Sequence, residues 1–161
     1  MPNVTAKEAG DNFYPQYNVV TREPVSNITI TKGRLYTKGG GANGNQLVAV
    51  GAAGFIRGIY QAAASIETAG DAGENHVQCY TTRSRVGLPA KTANLHAGDL
   101  VKYDIANHNV ELWTGSTSAA TAELAGIVGR IYKIYTMTDI TVEKDVTAVG
   151  DIVIVDLYGV I

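Results

Sequence analysis

Gly126-Ile127-Val128-Gly129-Arg130-Ile131-Tyr132 has an earlier counterpart in Gly54-Phe55-Ile56-Arg57-Gly58-Ile59-Tyr60, and the match extends outward on both sides. Upstream, Gly33-Arg34-Leu35-Tyr36 parallels Gly98-Asp99-Leu100-Val101. Downstream, Ala72-Gly73-Glu74-Asn75-His76-Val77 parallels Val149-Gly150-Asp151-Ile152-Val153-Ile154. In each half a glycine and a polar residue open an apolar run, and a Gly/Arg-Ile-Tyr block places Tyr60 and Tyr132 in equivalent positions. A Gly-acid pair then opens the last strand. The pattern predicts a duplicated β unit, with copies at residues 33–86 and 98–161. Gly33 to Gly73 spans 40 positions and Gly98 to Gly150 spans 52, so 12 extra residues fall in loops of the second copy, at Thr114 to Ala120 and Asp139 to Asp145. The competing reading is that Gly-acid pairs precede strands in any all-β protein.

Between these blocks the chain alternates. Val25, Asn27 and Thr29 face one way and Ser26, Ile28 and Ile30 the other, and period-2 patterning with β-branched residues is a strand signal. Asp151 to Ile161 reads as a central strand. Gln61 to Glu67 has helical propensity but reads as strand continuing from Ile59, whereas Ser118 to Ala125 is left as one or two helical turns. Many short strands with Gly-rich turns indicate an all-β protein, a compact barrel or sandwich.

Residues 1–24 differ. Pro2, Pro15 and Pro24 interrupt a non-periodic run containing Phe13, Tyr14 and Tyr17, which predicts an extended N-terminal arm preceding a single β domain at 25–161. Disorder is the alternative, opposed by the aromatic content.

At 161 residues the chain can bury a core without disulfides or metals, and its lone cysteine, Cys79, is expected to be a small buried hydrophobe. A formal net charge of −2 offers no basic footprint for nucleic acid, and no apolar run is long enough to span a bilayer. Gly39 to Gly44 satisfies G-x-G-x-x-G, but a β run follows where a dinucleotide site needs a helix N-terminus. His76 and Cys79, three apart on a strand, face opposite sides and do not converge on a metal. No catalytic residue, cofactor or metal site is expected. Trp113, beside Thr114-Gly115-Ser116, divides between core and interface.

The strand openings Ala97-Gly98-Asp99-Leu100-Val101-Lys102-Tyr103-Asp104, Ala125-Gly126-Ile127-Val128-Gly129 and Val149-Gly150-Asp151-Ile152-Val153-Ile154-Val155 resemble those of tailed-bacteriophage capsid decoration, or cement, proteins of the small β-rich type. The resemblance covers residues 90–161 best, and the Gly39 to Asn45 loop departs from it. It implies a non-enzymatic virion protein, made in the host cytoplasm, commonly trimeric, that sits on the capsid exterior and stabilises contacts between major capsid subunits. Phe13, Tyr14, Tyr17 and Trp113 are the expected capsid or subunit contacts. The alternative is a carbohydrate- or receptor-binding module associated with the virion or tail, stacking sugars on Trp113 and exposed tyrosines.

Overall fold

The computed structural model describes residues 8–25, 28–40, 46–55, 57–67, 76–115, 126–136 and 139–158. The helical turns expected at Ser118 to Ala125, residues 41–45 of the Gly-rich loop and Gly73 lie outside them. The chain is all-β, with no helix among the described residues and two antiparallel sheets stacked as a sandwich.

The first sheet holds β1 (Val20–Pro24), β2 (Leu35–Lys38), β3 (Leu47–Ala49), β4 (Tyr60–Ala62) and β5 (His76–Thr81), in the order β1-β5-β4-β2-β3. The second holds β6 (Arg85–Pro89), β7 (Leu100–Asp104), β8 (Asn109–Leu112), β9 (Ile127–Thr136) and β11 (Ile152–Leu157), in the order β6-β11-β9-β7-β8. β10 (Asp139–Glu143) is an added hairpin strand on β9.

Strand for strand, the second sheet repeats the first. Even the closing contact recurs: Val25, just past β1, makes a parallel bridge to Leu47, and Ala90, just past β6, makes one to Val110. The outer strands of each sheet therefore meet, and each half curls into a barrel-like unit. The extra residues of the second half fall where expected, between β8 and β9 and around β10.

The hydrogen bonds fix the register of the repeat. Gly33 N donates to Ala62 O at 2.8 Å and Ala62 N to Arg34 O at 3.1 Å. In the second unit, Gly98 N donates to Ile131 O at 2.7 Å and Ile131 N to Asp99 O at 3.0 Å. Gly33 and Gly98 have φ of +86° and +93°, a left-handed turn that glycine adopts without steric cost. Ala62 is thus equivalent to Ile131, which corrects the pairing of Tyr60 with Tyr132. Tyr60 lies opposite Tyr36 as Gly129 lies opposite Val101, so the tyrosines occupy different places in the two units. The units also begin earlier than the sequence suggested. β1 is the counterpart of β6, with Pro24 matching Pro89 at the strand end, so the last five residues assigned to the arm are a strand paired with β5. Of the strand expected from Val25, Ser26 and Asn27 lie outside the described residues, and the described ones form single bridges at Val25 and Ile30.

Each unit has its own core, built at matching positions. Ile30, Tyr36, Leu47, Ala62, Val77 and Cys79 fill the first, and Leu95, Val101, Val110, Ile131, Val153 and Val155 stand at the same places in the second. The large-small pair Tyr36 and Ala62 becomes Val101 and Ile131, a redistribution that keeps filled volume roughly constant. Cys79 takes the place of a valine. Burial pushes its thiol up to about 12, so it remains a thiol and acts as a hydrophobe.

The units meet along one row of cross-strand neighbours. Leu35, Gln61 and Tyr80 of the first sheet are buried there, and Leu35, Val50, Phe55, Ile59 and Tyr80 join the core of the second unit. Gln61 Nε2 donates to Gly33 O at 3.1 Å in its own unit and to Gly87 O at 2.8 Å in the other. The matching row of the second unit is Leu100, Arg130, Asp156 and Arg85, on the open face of its sheet.

Tyr103 is the second fastener. Its hydroxyl accepts Leu35 N–H at 3.2 Å and lies 3.1 Å from His108 Nδ1. With His108 neutral and its Nδ1 unprotonated, the Tyr103 O–H donates to it while its oxygen accepts from Leu35, and protonation of the imidazole removes that acceptor. Burial first and then the Arg34 charge lower the imidazole pKa, while Asp104 opposes them weakly. A base whose folded pKa lies below its unfolded value of about 6.5 contributes stability above that pH and loses it as pH falls. The urea midpoint of the protein is expected to drop more between pH 7 and pH 5.5 than that of His108→Gln. Equal drops would mean that protonation of His108 does not load the junction.

Candidate functional site: an arginine enclosed by tyrosines

On β6, residues 85, 87 and 89 point away from the core while Val86 and Leu88 are fully buried in it. Position 87 is glycine because something else fills the space. A Cβ there would lie 2.5 Å from Phe13 Cε2 and 3.1 Å from Ile152 Cγ2. The residue run Ile152 to Val155 on β11 is buried at every position, and a strand buried on both faces needs a cover on each. Part of the outer cover is the N-terminal segment. Phe13 lies over Gly87, and Asn18 imitates a strand neighbour: its Oδ1 accepts Arg85 N–H at 2.8 Å and its Nδ2 donates to Arg85 O at 3.0 Å. Ser84 Oγ ties down the next residue, accepting Val19 N–H at 2.9 Å and donating to Val19 O at 3.1 Å.

This docking assembles a cluster around Arg85. Its guanidinium carbon lies 3.8 Å from the ring centroid of Tyr132, 4.5 Å from that of Tyr17 and 5.7 Å from that of Tyr14. Tyr14 meets Tyr132 edge to face at 5.9 Å. Arg85 Nε donates to Asp156 Oδ1 at 2.8 Å, the main reason its already high pKa is raised further. Burial, followed by the neighbouring hydroxyls of Tyr135 and Tyr132, pushes the Tyr14 phenol well above the ordinary tyrosine value. The group therefore sets the Arg85 guanidinium against the Asp156 carboxylate, beside a Tyr14 phenol held in its neutral form. Each cation–ring contact is worth about 0.5–1 kcal/mol at an exposed site, enough to hold the guanidinium plane still.

Tyr17 is 52% exposed and Tyr132 37% exposed, so the cluster is both fixed and accessible. Arg130, on β9 with Tyr132, spends one donor on Gly98 O at 2.9 Å and is otherwise open to solvent. Searches against family models, curated proteins and solved structures find no match to this chain. The site must stand on its own chemistry.

Of the four residues singled out in the sequence, the structure brings Phe13, Tyr14 and Tyr17 to one face of the second sheet, against their own domain. Trp113 is elsewhere, at the end of β8, the opposite outer strand. It is half-buried, its backbone N–H donates to Leu100 O at 2.9 Å, and its ring Nε1 is buried without a hydrogen-bond partner among the described residues. Arg85, Tyr132 and Asp156 were not singled out. The signal available was an outward arginine at an outer strand next to an aromatic-rich terminus. No group of three or more potential metal ligands occurs among the described residues, and none of their helices is long and apolar enough to cross a membrane.

Proposed function

We propose that this is a viral structural protein that binds the outside of an assembled capsid as a homotrimer, stabilises contacts between major capsid subunits, and acts by contact and not by catalysis. The observation that supports this reading is the Arg85 cluster. Tyrosine and arginine dominate the few residues that carry binding energy in protein interfaces, and here they are presented already ordered. Preorganisation lowers the entropy lost on binding, so a modest surface can bind usefully. A ligand that binds only the assembled shell stabilises it by RT ln(1 + [L]/Kd), about 2.7 kcal/mol per site at a hundredfold excess over Kd.

The test is co-sedimentation with capsids of the source virus, after confirming the folded state by circular dichroism. The wild type is expected to pellet with capsids, and Arg85→Lys to bind at least tenfold more weakly. Lysine keeps the charge but loses the broad guanidinium that lies close to the Tyr132 and Tyr17 rings while donating to Asp156. Failure of the wild type to pellet, or equal binding by folded Arg85→Lys, would overturn the reading.

A further inference from the structure

A cavity of about 420 Å³ opens between the units, one wall formed by the loop after β3 and the other by the β7–β8 hairpin. We propose that it binds a neutral saccharide, independently of any capsid contact. Its size falls in the range of small-molecule sites, and sites favour the seams between structural units.

The floor is apolar. Val50, Phe55 and Tyr103 are buried, and Ile105, 41% exposed, extends the same surface to the mouth. Phe55 and Tyr103 lock each other with ring centroids 5.9 Å apart, so the floor is rigid.

The rim is a closed set of charges. Lys91 Nζ lies 2.7 Å from Asp104 Oδ2 and 2.9 Å from Glu111 Oε2, and Lys102 Nζ lies 3.4 Å from Glu111 Oε1. Asp104 also accepts Ala106 N–H, Asn107 N–H and the Asn107 amide. The lysine first and these donors next hold its carboxyl well below the usual carboxylate range. Two ammonium groups and two carboxylates cancel. Donors remain on both lysines, and acceptor capacity remains on Glu111.

A charged ligand would meet as much repulsion as attraction in such a set. Hydroxyl groups both donate and accept, and match it without any net charge. An apolar floor beneath a neutral donor–acceptor rim calls for a ring with a C–H face and hydroxyls around its edge. The fold does not require these charges. Lys102 and Glu111 are cross-strand partners in the hairpin, and in the first unit the equivalent partners are Thr37 and Val48. Solvated ion pairs contribute little to stability, so the set is not explained by folding alone.

The test is saturation-transfer NMR with the full chain and the methyl glycosides of glucose, galactose, mannose and N-acetylglucosamine, with glucuronate as the charged comparison. At least one neutral glycoside is expected to receive saturation. Gly51→Phe, placed in the cavity wall where an added Cβ meets nothing within 4 Å, should abolish the transfer while leaving the fold intact. Glu111→Gln should weaken binding tenfold or more. The proposal is overturned if no glycoside binds, if both variants bind as the wild type does, or if glucuronate is preferred. None of these outcomes depends on whether capsids are bound.

Discussion

Gln61→Leu is expected to lower the free energy of unfolding by about 2 kcal/mol, seen as a lower urea midpoint with an unchanged slope. Leucine keeps most of the side-chain volume, so the loss isolates the amide. Two carbonyls at buried residues, Gly33 and Gly87, lose a donor that links one unit to the other, each at about 1–2 kcal/mol. Removing the amide also relieves a buried oxygen, Oε1, that has no hydrogen-bond partner among the described residues, and this offsets part of the cost. The internal control is Arg130→Leu. Arg130 stands at the equivalent position and donates to Gly98 O, the equivalent carbonyl, but in solvent. There the freed carbonyl turns to water, and the change should stay under about 0.5 kcal/mol. Equal effects at the two positions would show that burial at the junction does not amplify the bond.

Gly87→Ala should release the N-terminal segment. A Cβ would lie 2.5 Å from one Phe13 ring carbon and 2.9 Å from another, a clash that only departure of the ring can relieve, because Ile152 closes the other side at 3.1 Å. Loss of the half-buried phenylalanine's packing costs about 1 kcal/mol. It also uncovers cleavage sites after Phe13 and Tyr17, so chymotrypsin should cut this segment much faster in the variant. The two residues act as one contact, and Phe13→Ala added to Gly87→Ala should cost almost nothing more. Unchanged cleavage, or fully additive losses, would mean that the segment is held by its other contacts, those of Asn18, Ser84 and the Arg85 cluster, and not by Phe13 on Gly87.

The strands were legible because their signals are local. Gly33 and Gly98 mark left-handed turns, and Ile152 to Val155 is an unbroken apolar run. The register of the repeat was not, because the shared letters mislead. Gly58-Ile59-Tyr60 leads into β4, whereas Gly129-Arg130-Ile131-Tyr132 lies within β9, and equivalence is set by which carbonyl receives the glycine N–H. The recoverable clue was the constant spacing of Pro24 with Pro89, Gly33 with Gly98 and Leu35 with Leu100. Pro24 was read as a break when it ends an outer strand, a position proline tolerates. Phe13, Tyr14 and Tyr17 were found from composition, but their convergence on Arg85 depends on long-range pairing. The junction was hidden for the same reason: Gln61, Gly87 and Tyr103 approach only after both sheets have closed.

The charged row on the second unit decides how long this architecture can grow. In a head-to-tail stack, a further chain's first unit would have to present Arg22 and Lys38, the counterparts of Gly87 and Tyr103, to Arg85 and Arg130. These charges, Lys38 with its partner Glu23 and Arg85 with its partner Asp156 among them, would then be desolvated in a seam that elsewhere holds Leu35, Gln61 and Tyr80, at a cost of several kcal/mol. A charged row of this kind ends the stacking after two units, as a polar outer face does at the end of a repeat array. The cationic face that rejects another copy of the chain stays free for a partner that brings acceptors of its own.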